Sequence, residues 1–140
     1  MLIGSAVHTI DAKGRVVIPA KYRESLGLSV VAVKSVDGCI RVYPRVRYEE
    51  YLEKLSKGNV LQLKMRRKLV LNAEELTLDA QGRVLLSEDM RGIAGITDKV
   101  RMVGMIEWLE FWNEEKLEQE CADEEFTPEE LQQMAELGLC

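Results

Sequence analysis

The five-residue sequence DAKGR, at residues 11–15, recurs with one change as DAQGR at residues 79–83. Each copy places an aspartate four residues before an arginine, and a glycine directly before that arginine. The glycine is suited to the positive φ of a tight turn, and the aspartate can accept hydrogen bonds from the backbone ahead of it. The motif therefore predicts a loop held by its own residues. The residues assigned this structural role are Asp11, Gly14, Asp79 and Gly82.

The arginine of each loop, Arg15 or Arg83, admits two interpretations. In the first, it pairs with the aspartate and braces the turn, and an exposed pair of this kind contributes at most about 1 kcal/mol. In the second, the aspartate binds the loop backbone and leaves the planar guanidinium available for guanine edges or phosphate. The spacing alone leaves both open. Three further bases near the first arginine, Lys13, Lys21 and Arg23, favour an anionic partner.

The two copies of the loop differ in charge. Residues 11–24 carry a net charge of +2, whereas the matching residues 79–92 carry −1. Because neutralisation of phosphate supplies much of the affinity of a protein for DNA, we expect the first loop to dominate binding. The second loop then either contributes a single arginine or serves mainly as scaffold.

The repeated loop belongs to a longer duplication. Residues 8–27 align with residues 76–95 at a constant offset, with identical residues at eight positions. After a shift of one residue, IRVY at residues 40–43 aligns with LEFW at residues 109–112, and a charged helical segment follows each. Each copy predicts a strand, a turn, a second strand, a short helix and further strand. The fold class is therefore α+β and strand-rich, with two related repeats.

Local signals mark the turns and helix ends inside these repeats. Pro19 suits the first position of a short helix, and Ser87 suits the N-cap of the equivalent helix. Gly27 and Gly95 are expected to end the two helices as left-handed caps. Residues 37–38, Asp-Gly, predict the turn of a hairpin.

Four segments are predicted along the chain. They are the first repeat with its C-terminal helix (residues 1–58), a basic linker helix (59–75), the second repeat (76–118) and an acidic tail (119–140). The tail contains TPEE at residues 127–130, a capping-box sequence that predicts a last short helix.

Charge is distributed unevenly along the chain. Residues 107–140 contain 12 acidic residues and one base, a net charge of −11, whereas residues 1–106 carry +6. This asymmetry favours a body that binds a polyanion and an acidic tail, although a surface whose charges merely balance stays open.

Several classes of function are disfavoured by the sequence. An apolar run of the ~20 residues that span a membrane is absent, and the start lacks the pattern of a secretion signal, so a cytoplasmic protein is expected. Cys39, Cys121 and Cys140 are an odd number at wide spacings, which indicates reduced thiols. A single histidine, His8, has no nucleophile pattern beside it. We therefore expect no enzyme, no metal site and no cofactor.

These residues resemble the MraZ family of bacterial proteins. The resemblance covers residues 1–117 and is carried by HTIDAKGRVVIPAKYRESLG (8–27), DGCIRVYP (37–44) and LDAQGRVLL (78–86). It implies two tandem AbrB-like swapped-hairpin repeats that form a pseudo-dimeric barrel with flanking helices. It also implies a sequence-specific DNA-binding transcriptional regulator that acts at repeated promoter elements upstream of its own division and cell-wall operon.

The same resemblance implies the partners and the site. The partners are double-stranded DNA and further copies of the chain in a ring-like homo-oligomer, with a location in the cytoplasm at the bacterial nucleoid and with no membrane or small-molecule substrate. The DNA-binding residues are Lys13, Arg15, Lys21 and Arg83. The alternative is a ring-forming interaction module of the same fold that binds an acidic protein partner.

Overall fold

The computed structural model describes residues 1–55, 58–121 and 125–139. The strands in these residues are β1 (Leu2–Thr9), β2 (Arg15–Val17), β3 (Ser29–Lys34), β4 (Ile40–Pro44), β5 (Ala73–Thr77), β6 (Arg83–Leu85), β7 (Lys99–Ile106) and β8 (Leu109–Trp112). The helices are α1 (Ala20–Leu26), α2 (Arg45–Glu53), α3 (Val60–Leu71), α4 (Glu88–Ala94), α5 (Glu114–Glu120) and α6 (Pro128–Glu136).

The same order of elements occurs twice in the described residues. Each repeat contains two strands, a helix, two strands and two helices, so that β1 corresponds to β5, β3 to β7 and α3 to α6. The predicted α+β, strand-rich class is confirmed. The predicted linker helix is α3, which is therefore the last element of the first repeat.

The two repeats exchange their first strands. The main sheet has the order β1-β7-β8-β4-β3-β5, in which β1 pairs with β7 along its whole length and β5 pairs with β3. At the centre, β4 pairs with β8. The order reads the same from either end when equivalent strands are interchanged. Each repeat therefore needs the other to complete its part of the sheet.

The closed barrel that the family resemblance implies is not seen in the described residues. The six-stranded sheet is open, with β1 and β5 at its edges, and β2 and β6 form a separate two-stranded ribbon. The tight turn after Asp11 leaves only one bridge between the first two strands, from Ile10 to Val16. Because β2 then pairs with β6 instead of β1, the main sheet does not continue into the ribbon.

One large core lies between the main sheet, the ribbon and the short helices α1 and α4. It buries equivalent positions of both repeats, as with Tyr22 and Met90 or Ile40 and Leu109. Phe111 is completely buried on the central strand β8. The hydroxyl of Tyr22 is satisfied within this core because it donates to the carbonyl oxygen of Ile3 at 3.0 Å.

A second, aromatic cluster is formed around Tyr43 and the helix α2. The ring centroid of Tyr43 lies 5.3 Å from that of Tyr48 and 5.6 Å from those of Tyr51 and Trp108. The helix packs on the sheet through Tyr48, which is buried, and Leu52, which packs against the same cluster.

The helix ends agree with the sequence at three positions and differ at two. Gly95 is the expected left-handed cap, Ser87 caps the amide of Met90, and Thr127 forms the predicted capping box. Pro19 lies at the N-cap and not inside α1, because its ψ of 141° is extended. Gly27 has a positive φ of 76° but a ψ of −171°, so it is not a left-handed helical cap. The chain must extend at once into β3, which begins two residues later.

The sequence analysis also made predictions about the state of the cysteines and about membrane-spanning segments. Cys39 is buried, and burial raises the pKa of its thiol to about 12, whereas Cys121 is exposed. Cys140 lies outside the described residues. Among the helices in the described ranges, none has the length and apolar character that a membrane span requires.

We predict that the two repeats unfold together. Phe111→Ala should lower the free energy of unfolding by about 3–5 kcal/mol, because it leaves a cavity on a strand that pairs with both repeats. In a urea titration, far-UV circular dichroism and tryptophan fluorescence should report one coincident transition. Val36→Ala, at a fully exposed position, is the control and should change stability by less than about 0.5 kcal/mol. Separate transitions for the two probes would contradict the prediction.

Candidate nucleic-acid interface

The first loop is held by the carboxylate of Asp11. Its Oδ1 accepts hydrogen bonds from the backbone amides of Lys13 and Arg15, both at 2.9 Å, and its Oδ2 accepts one from Arg15 Nε at 2.7 Å. The turn is closed by the amide of Gly14, which donates to the carbonyl of Asp11 at 3.0 Å. One carboxylate thus fixes both the loop backbone and the arginine beside it.

The second loop repeats this arrangement. Asp79 Oδ1 accepts from the amides of Gln81 at 2.9 Å and Arg83 at 2.8 Å, and Oδ2 accepts from Arg83 Nε at 2.8 Å. Arg83 Nη2 also lies 3.4 Å from Gln81 Oε1. Because the two sequences differ only at the middle residue, their equal geometry indicates that this residue does not determine the loop.

The ion pair of the first interpretation and the backbone binding of the second are both present in each loop. The aspartate binds the backbone and also pairs with the arginine, but the pair uses the Nε edge of the guanidinium. The side chains of Arg15 and Arg83 remain 35% and 31% exposed. Pairing at Nε orients each guanidinium and reduces the side-chain entropy that a further contact must overcome.

Hydrogen bonds lower the pKa of both loop aspartates. For Asp11 the largest cause is the backbone hydrogen bond from Arg15, against which desolvation acts in the opposite direction. For Asp79 the corresponding causes are the backbone hydrogen bond from Arg83 and the same opposing desolvation. Both carboxylates are therefore charged at neutral pH, as the loop geometry requires.

Alternation along the ribbon of β2 and β6 places both loop arginines on one face. In the antiparallel register Arg15 lies opposite Leu85 and Arg83 lies opposite Val17. The intervening pair, Val16 and Val84, is buried. Because side chains alternate between the faces of a strand and opposite residues share a face, Arg15 and Arg83 lie on the face turned away from the core. Two residue positions, or about 7 Å along the strand, separate them.

Each loop is also braced by the other repeat. The amide of Ile18 donates to the carbonyl of Gly82 at 2.8 Å, and the amide of Leu86 donates to the carbonyl of Gly14 at 2.9 Å. Both glycines have positive φ, and a side chain at Gly14 would meet Leu86 O at 2.7 Å. The two loops are therefore built as one unit across the ribbon.

Two arginines that complete this unit were missed as structural residues by the sequence analysis. Arg23, which was grouped with the bases that favour an anionic partner, donates to the carbonyls of Ile18 at 2.8 Å and Gln81 at 3.2 Å. Its equivalent, Arg91, donates to Leu86 O at 3.2 Å. The signal was available, because the two arginines occupy the same position in the aligned repeats.

The two predicted lysines occupy different places. Lys13 is exposed at the tip of the first loop, where the second loop has Gln81. Lys21 lies on α1, with its ammonium nitrogen 4.9 Å from the ring centroid of Tyr22, and is not part of the ribbon. Within the described ranges, acidic, histidine and cysteine side chains are not grouped in threes or more as a metal site requires.

The comparison with known proteins follows the division into repeats. A family model described as "MraZ protein, putative antitoxin-like" matches residues 1–71 and, a second time, residues 69–135. The chain belongs to the MraZ family. The first match ends with the last residue of α3 and the second ends within α6, so each covers one set of seven elements.

Individual members of the MraZ family match along almost the whole chain. A protein of Lachnoclostridium phytofermentans is 34% identical over 141 residues, which cover 99% of each chain. One of Caldicellulosiruptor saccharolyticus is 36% identical over 143 residues, or 99% of this chain and 100% of the relative. Both bear the name "Transcriptional regulator MraZ". The family resemblance stated from the sequence is thereby confirmed, but its predicted end at residue 117 is wrong, because the family match continues to residue 135.

We predict that Gly14→Ala lowers the free energy of unfolding by about 2 kcal/mol or more. The alanine would be strained at φ +90°, and its Cβ would press on Leu86 O and on Arg91, whose Cζ would lie 3.1 Å away. Gly38→Ala is the matched control, since Gly38 has φ +93° but open space around it, and should lose only about 1 kcal/mol. Urea titrations measure both values, and equal losses would show that the close approach of Leu86 and Arg91 to Gly14 adds nothing to the cost of the positive φ.

The loops should keep their structure well into acid. A lowered pKa in the folded state means that Asp11 and Asp79 stabilise the fold above the pKa of the unfolded chain, and that this contribution is lost as the pH falls through the folded pKa. NMR should follow the amide shifts of Lys13 and Gln81, which report the protonation of Asp11 and Asp79 in the folded protein. These shifts should change at a lower pH than the one at which the two aspartates titrate in the urea-unfolded protein. A midpoint at or above the unfolded value would contradict the assignment.

Proposed function

We propose that this protein is a DNA-binding transcriptional regulator and not an enzyme, and that the outer face of the β2–β6 ribbon meets double-stranded DNA. The observation that carries the proposal is the position of Arg15 and Arg83 on one exposed face of a two-stranded ribbon. The major groove of B-form DNA admits a two-stranded β-ribbon. The names of the family members in the two comparisons support the same function.

The loop residues have distinct roles in this proposal. Arg15 and Arg83 bind guanine edges or phosphate with the guanidinium nitrogens that their aspartates leave available. Asp11 and Asp79 orient them, and Gly14 and Gly82 permit the turns. Lys13 binds phosphate from the loop tip, and Lys21 adds positive charge from α1.

The two loops contribute unequally. Residues 11–24 carry +2 and residues 79–92 carry −1, and Gln81 takes the place of Lys13. The first loop therefore supplies most of the electrostatic affinity. The second loop supplies one arginine and an amide side chain, which is suited to an adenine edge rather than to phosphate.

The family implies further features, which belong to the proposal. The DNA sites are repeated promoter elements upstream of the protein's own division and cell-wall operon, in the cytoplasm at the nucleoid. The repeats contain AbrB-like swapped hairpins in a pseudo-dimer. The hairpin modules are residues 1–58 and 76–118, and the basic segment 59–75 and the acidic segment 119–140 that follow them contain the equivalent helices α3 and α6. Copies assemble into a ring-like homo-oligomer, which presents several ribbons to tandem elements and so gains avidity.

We expect Arg15→Ala to weaken binding more than Arg83→Ala does. Loss of a bidentate base contact costs about 1–3 kcal/mol, or roughly 5- to 150-fold in Kd. Fluorescence anisotropy would use a labelled duplex from upstream of the gene beside a scrambled duplex of equal composition, over a salt series. Lys13→Gln should weaken binding to both duplexes and lower the salt slope by about one. Arg47→Ala, an exposed arginine on α2, is the matched control and should bind like wild type.

The outcome separates two functions of one fold. Preference for the upstream duplex that Arg15→Ala abolishes supports the regulator. Equal binding of both duplexes at every salt concentration would refute sequence-specific recognition. A third outcome would favour an interaction module. In that case the protein would show no preference between the two duplexes, and an acidic protein at equal charge concentration would displace either one.

A further inference from the structure

The helices α3 and α6 are equivalent elements with opposite charges. Each is the last of the seven elements of its repeat. The helix α3 contains four bases and no acid, and α6 contains three acids and no base. The bases are Lys64, Arg66, Arg67 and Lys68, and the acids are Glu129, Glu130 and Glu136.

Both helices also bury no residue in the single chain. Neither α3, with 12 residues, nor α6, with nine, has a buried side chain. Helices of up to about 12–15 residues are marginal in water unless an apolar face packs against something. The fold itself therefore leaves both helices short of the packing that would stabilise them.

Apolar surface lies beside the charges on both helices. On α3 it includes Leu63, 42% exposed, and Val70, 51% exposed, which line a shallow groove of about 350 Å³ together with Arg66, Arg67 and Leu71. On α6 the apolar positions 131, 134 and 135 share one face. Phe126 and Leu137 extend this surface at its two ends and are 56% and 73% exposed.

We propose that α6 of one copy docks in the α3 groove of a second copy. The apolar face of α6 covers Leu63 and Val70, and its glutamates lie among the bases of α3. This is helix-in-groove recognition, with the charges selecting the partner. The proposal rests on the self-association included in the proposed function, and it names the surfaces responsible.

Charge excludes the symmetric pairings. Two α3 helices would bring eight bases together, and two α6 helices would bring six acids together, with no opposite charge on either helix. The contact is therefore heterologous, so that each copy offers one surface of each kind and the contact continues from copy to copy until the assembly closes.

The two helices are connected to elements near opposite edges of the sheet in one chain, and the rescue by mixing described below distinguishes a second copy from the same chain as the occupant. The helix α3 leads into β5, at one edge of the sheet. The helix α5, which precedes α6, is tied to β7 near the other edge by the Arg101–Glu114 ion pair at 2.8 Å. Four strand spacings, or about 19 Å, separate β7 from β5. The exposed leucines and valines beside the bases of α3 are more typical of a protein interface than of a DNA surface.

The test uses two charge-reversed variants of the full chain. Lys64→Glu/Arg67→Glu/Lys68→Glu changes α3 from +4 to −2, and Glu129→Lys/Glu136→Lys changes α6 from −3 to +1. Light scattering after size exclusion should find wild type as an oligomer and each variant at or near the monomer mass. An equimolar mixture of the two variants should regain the oligomer, because every contact between unlike copies again joins opposite charges. Rescue by mixing requires a contact between chains.

The control is Arg47→Glu/Lys54→Glu/Lys99→Glu, which makes the same change in net charge outside α3 and should keep the wild-type mass. Circular dichroism checks that each variant is folded. A wild-type monomer, wild-type mass for either variant, or failure of folded variants to reassemble on mixing would overturn the proposal. Loss of DNA binding by the α3 variant at unchanged mass would also overturn it, by assigning α3 to DNA. Binding to a duplex with a single promoter element is measured separately, so failure here leaves the regulator standing.

Discussion

The exchange of first strands between the repeats is the constraint on which the rest of the structure depends. β1 finds its partner in β7 and β5 finds its partner in β3, so the backbone groups of each first strand are satisfied only by the other repeat. The exchange also places β2 and β6 side by side. The ribbon, the two loops and the core beneath them therefore form together, and none is the property of one repeat alone.

The ribbon turns two local motifs into one surface. Each loop is specified by its own aspartate and glycine, but its glycine carbonyl is bound by the chain of the other repeat. Arg23 adds a second tie by reaching the loop of the second repeat. A surface braced in this way is preorganised, so that little ordering remains to oppose binding. The proposed DNA binding therefore depends on two braced arginines more than on the net charge of the protein, which is −5.

The repeats keep the same backbone and differ in charge where the backbone is exposed. Buried equivalents stay apolar, as with the identical pair Val16 and Val84 beneath the ribbon and with Ile40 and Leu109 in the core. Exposed equivalents differ, as with Lys13 and Gln81 at the loop tips and with the basic α3 and the acidic α6. The two repeats thus share a symmetric backbone, but the charges of their exposed loops and last helices differ.

The sequence by itself determined the features that depend on neighbours in the chain. These are the duplication, the Asp-Gly-Arg loops, the Asp37–Gly38 hairpin, and the caps at Ser87, Gly95 and Thr127. The tertiary structure alone decided which strands pair across the repeats and that the main sheet stays open. It also decided that both loop arginines share one face and that Arg23 braces a loop. The conformation of Gly27 belongs with these, since the start of β3 sets it. The reason is physical: hydrogen bonds within a turn or cap involve residues two to four apart, whereas strand pairing joins residues such as Leu2 and Ile106, whose contact no local pattern specifies.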